Sequence, residues 1–223
     1  MINKIAQTIE VAFAGIQDGA TIMIGGFGGA GVPNELIDAL VNQPVKDLVI
    51  ITNNAGSGET GIAALLKTRR VRKIICSYPR MPDSHHFETL YRAGQIELEL
   101  VPQGNLGERI RAYGAGLGGY YAQTSYGTLL AEGKETRQID GKWYVFETPL
   151  GADFALIGGY KADRLGNVIY RKAARNFGPV MAMAAKTTIV QVPEIVPIGA
   201  LDPETVVTPG IFVKYVVQVG KEM

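Results

Sequence analysis

The residues of this chain that could do chemistry are mostly uncharged hydrogen-bond donors, gathered in three short stretches that each follow an apolar run. They are Gly25–Gly31, Asn53–Gly61 and Gln103–Asn105. Backbone N–H groups, two Asn side chains and one Gln suit a carboxylate or a developing oxyanion rather than a proton-transfer relay. Gly26-Phe27-Gly28-Gly29-Ala30-Gly31 also fits the G-x-G-x-x-G pattern of dinucleotide-binding turns. Such a site needs an acid at the end of the second strand to hold the ribose hydroxyls. Here that strand ends at Thr52-Asn53, and the nearest acid, Asp47, stands at its start. The nicotinamide reading therefore loses its second half. Two readings of the glycines remain: an anion- or carbonyl-facing loop, or a tight strand-to-helix turn with no ligand.

Other candidates carry less. No Ser-His-Asp set lies among these stretches. His85 and His86 are neighbours on a predicted helix, where adjacent side chains point apart, so they are expected at the surface and not as ligands. The single cysteine, Cys76, excludes an internal disulfide and a cysteine-pair metal site, and no metal is expected. Glu59, in Ser57-Gly58-Glu59-Thr60-Gly61, is either a nucleophile candidate or a first-turn helix acid favoured by the macrodipole. Asn53-Asn54 can equally form an Asx turn capping the next helix.

Period and punctuation supply the elements that position these groups. A helix is predicted over Asn3–Phe13, then strands at Thr21–Ile24, Leu48–Thr52, Val71–Ser77 and Ile96–Val101. Helices fall between them at Asn34–Val41, about Thr60–Lys67 and about Ser84–Tyr91, with another starting near Asn105. That alternation implies parallel strands with helical crossovers: an α/β fold with an open, mostly parallel doubly wound sheet and helices on both faces. Ligands in such sheets collect beyond the carboxyl ends of the strands, so the three polar stretches should converge on one rim. After Gly114 the rhythm breaks. A hairpin is expected around Asp140-Gly141, strands at Phe154–Ile157, Val168–Tyr170, Thr188–Val192 and Ile211–Val217 finish the chain, and a small β-rich C-terminal portion is expected beside the main sheet. No linker or repeat interrupts the 223 residues, which read as one domain.

Composition excludes several classes. A net charge of +1 leaves no footprint for nucleic acid or an anionic membrane. The longest apolar runs fall far short of the ~20 residues that span a bilayer, and nothing at Met1–Ala14 resembles a signal peptide, so the expected location is cytoplasmic.

Asp18–Pro33 resembles the signature of the A subunits of 3-oxoacid coenzyme A transferases: Asp-Gly, an aliphatic run, Gly-Gly-Phe, then Gly-x-Pro. Blocks similar to the same family follow in order at Asn53–Gly56, Val101–Gly104, Glu108–Arg111, Gly127-Thr128, Lys161–Asn167, Ala174–Phe177 and Val207–Gly210. Within the family, Ile74–Arg80, Leu90–Asn105 and Tyr170–Ala185 are most like the 3-oxoadipate-using members, and the alternative is an acetoacetate- or acetate-using A subunit, since those relatives share most of the same framework. The resemblance implies ping-pong transfer of coenzyme A from succinyl-CoA, with CoA a substrate and no permanently bound cofactor. It places the nucleophilic glutamate on a partner B subunit, in a Ser-Glu-Asn-Gly motif that this chain lacks, and suggests an A2B2 assembly. It assigns substrate contact to Gly25, Gly26, Phe27, Gly28, Asn53, Asn54, Ala55 and Gln103. Arg80, in the rigid Pro79-Arg80-Met81-Pro82 turn, is a candidate for the far carboxylate of a dicarboxylate, or a solvated surface residue. One departure stands out: Tyr121–Tyr126 lacks the proline and glycine that relatives carry there. Two other classes stay open, a stand-alone ligand-binding domain and a nicotinamide dehydrogenase.

Overall fold

The apolar runs are buried on both sides, which only a central parallel strand requires. Ile22 and Ile24 face one core while Met23 faces the other; Leu48 and Ile50 alternate with Val49 and Ile51 in the same way. The computed structural model describes residues 2–220. In chain order the first half runs α1 (Ile9–Phe13), β1 (Thr21–Ile24), α2 (Asn34–Asn42), β2 (Leu48–Ile51), α3 (Gly61–Lys67), β3 (Val71–Cys76), α4 (His85–Arg92), β4 (Glu97–Leu100) and α5 (Gln103–Gly114). The second half runs β5 (Tyr120–Ala122), β6 (Thr136–Ile139), β7 (Lys142–Glu147), β8 (Ala152–Gly158), β9 (Lys161–Asp163) and β10 (Val168–Ile169). It ends with α6 (Gly178–Ala184), β11 (Ala185–Val192), β12 (Glu194–Val196) and β13 (Tyr215–Gln218).

Seven strands form one sheet in the order β13-β11-β8-β1-β2-β3-β4, with every neighbouring pair parallel. The chain steps outward from β1 to β4, returns to β8 on the other side of β1, and steps outward again. Because such crossovers are right-handed, the reversal moves the helices to the opposite face. Residues of α1, α2, α3 and α4 accordingly fill one core, and residues of α5 and α6 fill the other. The order reverses between β1 and β8, so the loop after β1 sits at the switch point where such folds bind ligands.

Two three-stranded sheets make the smaller β-rich part, β5-β7-β6 and β10-β9-β12. The hairpin turns where the sequence indicates: Ile139 pairs with Lys142, leaving Asp140 and Gly141 at φ 48° and 77° as a two-residue loop. At the edges of the main sheet, Ala6 N–H donates to Val216 O at 2.9 Å and Val216 N–H to Lys4 O at 2.8 Å, so the N-terminal segment lies along β13. At the opposite edge β4 carries Glu97, exposed, and Glu99, bound by Lys73 at 2.7 Å and Arg109 at 2.9 Å.

Several elements differ from expectation. The first helix covers only Ile9–Phe13, because Lys4–Ala6 satisfy their backbone against β13 instead. The last strand starts at Tyr215, and Gly210–Phe212 form a 3-10 turn. Helix α6 and strand β5 are additional elements.

Candidate active site

The loop after β1 is a closed turn. Phe27 N–H donates to Ala30 O and Ala30 N–H to Phe27 O, both at 3.0 Å, which leaves Gly28-Gly29 as a two-residue tip. The chain must then bend at Gly31, where φ is 68° and a Cβ would come within 2.3 Å of Ala174 O. The partner in that close approach is the turn ending at Asn176. Its side-chain Oδ1 accepts from Gly26 N–H at 3.0 Å, and its Nδ2 donates to Ala30 O at 3.0 Å. Asn176 thus staples both legs of the loop. Gly25 N–H is also engaged, by Leu156 O at 2.9 Å. Among the described residues the Gly28 and Gly29 amides have no internal acceptor, and a Cβ at either position would meet no atom within 4 Å.

Beside this tip, β2 runs into Asn53-Asn54, both nearly buried. The Oδ1 of Asn53 accepts from Ser77 Oγ at 2.8 Å and from Gln103 Nε2 at 2.9 Å. The Oδ1 of Asn54 accepts from Gly56 N–H at 2.9 Å, closing an Asx turn. Each acceptor oxygen is therefore occupied and fixes the amide plane, while neither Nδ2 hydrogen-bonds within the described residues. Asn54 serves both readings offered by the sequence, a turn former whose donor is left over.

Two adjoining cavities open here and share Gly28, Asn54 and Met81. One, of about 210 Å³, is walled by Gly25, Gly26, Gly29, Asn34 and Gly61 among others. The second, of about 380 Å³, brings together Phe27, Asn53, Ser77, Tyr78 and Gln103. No charged side chain lines either one. The favourable field for an anion comes instead from helix starts: Asn34 opens α2, Gly61 opens α3 and Gln103 opens α5. Helix α5 is fixed from below. Asn105 Nδ2 donates to the buried Glu147 at 3.0 Å, Lys134 pairs with the same carboxylate at 2.9 Å, and Arg109 bonds Thr148 O at 2.7 Å.

Most of the residues expected at the site lie on these walls: Gly25, Gly26, Phe27, Gly28, Asn53, Asn54 and Gln103. Ala55 does not; it is buried in the core beneath them. Arg80 does not either. Its guanidinium is largely exposed and pairs with Glu88 of α4 at 3.0 Å, away from both cavities. Ser77, Tyr78, Met81 and Asn176 belong to the site although the sequence reading passes over them. The first three follow the end of β3, a position that itself signals a rim residue; Asn176 is far away in sequence, and only the family-like block Ala174–Phe177 points to it. Glu59 is not presented to the cleft. Its carboxylate is bound by Lys67 at 2.8 Å, His85 at 2.9 Å and His86 at 3.0 Å, and these contacts, Lys67 first, hold its pKa down to about 2. Cys76 is buried, and desolvation pushes its thiol up to about 12, which removes it as a nucleophile. The dinucleotide reading fails on geometry as well: Asp47 lies at the amino end of β2, opposite the glycine tip.

A parallel sheet with a charge-free donor wall at its switch point has the chemistry to receive a carboxylate or an acyl oxygen. The coenzyme A transferase family model matches residues 6–219, and the chain belongs to that family. It is 64% identical over 220 residues to the A subunit of the 3-oxoadipate CoA-transferase of Pseudomonas putida, covering 99% of this chain and 95% of that one. It is 44% identical over 215 residues to the A subunit of the succinyl-CoA:3-ketoacid coenzyme A transferase of Helicobacter pylori, covering 96% and 92%. Among solved structures, an acyl-CoA transferase of Escherichia coli O157:H7 superposes with a TM-score of 0.84 at 23% identity. That match covers 97% of this chain but 47% of the other, so the chain corresponds to about half of that larger protein. Among the described residues no helix is long and apolar enough to cross a membrane.

Proposed function

We propose that this chain is the A subunit of a heteromeric, cytoplasmic CoA-transferase that moves coenzyme A from succinyl-CoA to a 3-oxo acid, 3-oxoadipate. The observation that carries the reading is a cleft equipped with amide donors and no charged side chain of its own. A site of this kind stabilises an oxyanion but offers no nucleophile of its own, which fits a carboxylate delivered by a B subunit; we take the assembly to be A2B2.

In the first half-reaction the partner's glutamate attacks the thioester carbonyl of succinyl-CoA, giving a mixed anhydride and CoA thiolate. The thiolate then attacks the glutamyl carbonyl, forming an enzyme thioester and releasing succinate. In the second half the 3-oxo acid's carboxylate attacks that thioester, and the thiolate returns to the acyl carbon of the new anhydride, regenerating glutamate. Each step builds negative charge on one carbonyl oxygen. The free Nδ2 donors of Asn53 and Asn54 and the Gly28 and Gly29 amides are the groups that meet it, in geometry fixed before substrate arrives. One such donor contributes about 3 kcal/mol of barrier reduction. Phe27, Tyr78 and Met81 form the apolar part of the wall and exclude water from the thioester. CoA passes through as substrate, and no resident cofactor enters the scheme.

The reading is tested by assaying this chain alone, a Ser-Glu-Asn-Gly-bearing partner chain alone, and the two mixed, with succinyl-CoA and a panel of 3-oxo acids. Transfer by the mixture only, with 3-oxoadipate the best acceptor, is expected. Transfer by the isolated chain would overturn it. The same donors would serve acetoacetate, so the panel also decides between these acids.

A further inference from the structure

Glu59, in the β2–α3 loop, and His85 and His86, at the start of α4, converge on one point. Glu59 Oε1 lies 2.9 Å from His85 Nε2 and 3.0 Å from His86 Nε2, and the imidazole rings stand 4.2 Å apart between centroids. Adjacent residues at the first turn of α4 thus point the same way, contrary to the expectation for a helix interior. The tautomer is constrained. His85 Nδ1 is 3.1 Å from Asp83 O, a carbonyl that can only accept, so Nδ1 donates there and Nε2 is the ring atom turned toward Glu59. When Nε2 gives up its proton, as a metal ligand must, its lone pair faces a carboxylate oxygen. A shared cation turns that contact from repulsive to favourable.

We propose that Glu59, His85 and His86 form a surface site for a divalent transition-metal ion of the zinc or cobalt type. Two imidazoles and one carboxylate oxygen are a suitable donor set for such ions, with solvent completing the coordination. Ligand atoms around a tetrahedral ion at ordinary bond lengths stand roughly 3.3 Å apart. The observed 2.9 and 3.0 Å contacts therefore need to open by a few tenths of an ångström, which the half-exposed Glu59 and His85 side chains permit. Lys67 engages the other carboxylate oxygen, Oε2, and leaves Oε1 available. The ion would join the β2–α3 loop to the β3–α4 loop. These loops already touch through Gly58 N–H to Asp83 O at 3.0 Å and Ser57 Oγ to Pro82 O at 2.6 Å. Ser57, Thr60, Gly61 and Met81 line the cleft, so an ion here would stiffen one side of its mouth.

The test is equilibrium dialysis of the untagged full chain, stripped with chelator, against Zn²⁺ and Co²⁺, with Co²⁺ absorption spectra and thermal midpoints in parallel. One ion per chain, visible Co²⁺ bands and a Zn²⁺-dependent rise in midpoint are expected. The Glu59→Gln variant should bind at least about tenfold more weakly, and the His85→Ala/His86→Ala variant should lose saturable uptake and the midpoint rise. Absence of saturable uptake by the unaltered chain, or equal uptake by the double variant, overturns the proposal. Transfer activity plays no part in the readout, so this result stands apart from the fate of the transferase reading.

Discussion

Replacing Asn53 in two ways separates a donor that acts on the reacting oxygen from one that merely holds the loop. Its Oδ1 accepts from Ser77 and Gln103, and its Nδ2 is unspent. Asn53→Asp keeps the shape and both accepted bonds but turns the donor into an anionic oxygen. Asn53→Ala loses donor and acceptor together, and leaves the Ser77 hydroxyl and Gln103 amide short of one bond each, about 1 kcal/mol apiece in stability. For catalysis the order inverts. The alanine variant loses one oxyanion donor, about 3 kcal/mol or some two decades in kcat/KM. The aspartate variant loses the same donor and adds like-charge repulsion with the substrate carboxylate. At about 4 Å that repulsion is worth roughly 1 to 4 kcal/mol between water-like and protein-like screening. Its total of about 4 to 7 kcal/mol corresponds to roughly three to five decades. Both variants, assembled with the partner chain, would be assayed for CoA transfer at pH 7 and unfolded in urea. The expected result is a crossed pattern, with Asn53→Asp the more stable and Asn53→Ala the more active. If activity simply follows stability, with the aspartate variant ahead in both, Asn53 positions the loop and the catalytic assignment is wrong.

Three further outcomes are expected. Asn176→Ala removes the two bonds that hold the legs of the glycine loop and should lower the unfolding free energy by about 2 kcal/mol, read as a shifted urea midpoint with unchanged slope. Arg80→Ala should leave the KM for dicarboxylates and the stability almost unchanged, since the exposed pair with Glu88 contributes at most about 1 kcal/mol; a large rise in KM would return Arg80 to the site. Asp153 accepts from Thr21 N–H at 3.0 Å and pairs with Lys186 at 2.9 Å, which lowers its pKa below the ordinary 3.8. A depressed carboxylate stabilises the fold above its unfolded pKa and loses that contribution as pH falls through the folded value. The stability gap between the unaltered chain and Asp153→Asn should therefore be full at pH 6 and close below pH 3.8. A gap independent of pH would show that the charge contributes nothing.

The sheet and its rim are legible in the sequence because β1 and β2 are short buried runs that end at glycine or asparagine, and a doubly wound sheet gathers such ends on one side. Asn53, Asn54 and Gln103 can be placed together for that reason alone. What escapes is set by distant contacts. Lys4–Ala6 continue a helical period but follow β13, where ladder bonds outweigh local preference. Helix α6, Gly-Pro-Val-Met-Ala-Met-Ala, packs against the second core and shows no polar face to reveal a period. The histidines defy the helical expectation because their common target, Glu59, is 26 residues away from His85 in the chain, beyond any spacing rule for one helix. Arg80 draws attention by its charge, whereas the neighbouring Tyr78 and Met81 are the residues that reach the cleft.

The two flanks of the main sheet have a consequence for assembly. On one flank the chain's own beginning already occupies the ladder beside Val216; on the other, glutamates punctuate the outermost strand. Neither flank invites an incoming polypeptide to zip on as an eighth ribbon, and the acidic flank opposes end-on stacking of identical copies into fibres. A second polypeptide therefore gains little from extending the main sheet, and side chains rather than main-chain pairing along its flanks decide which companion is accepted.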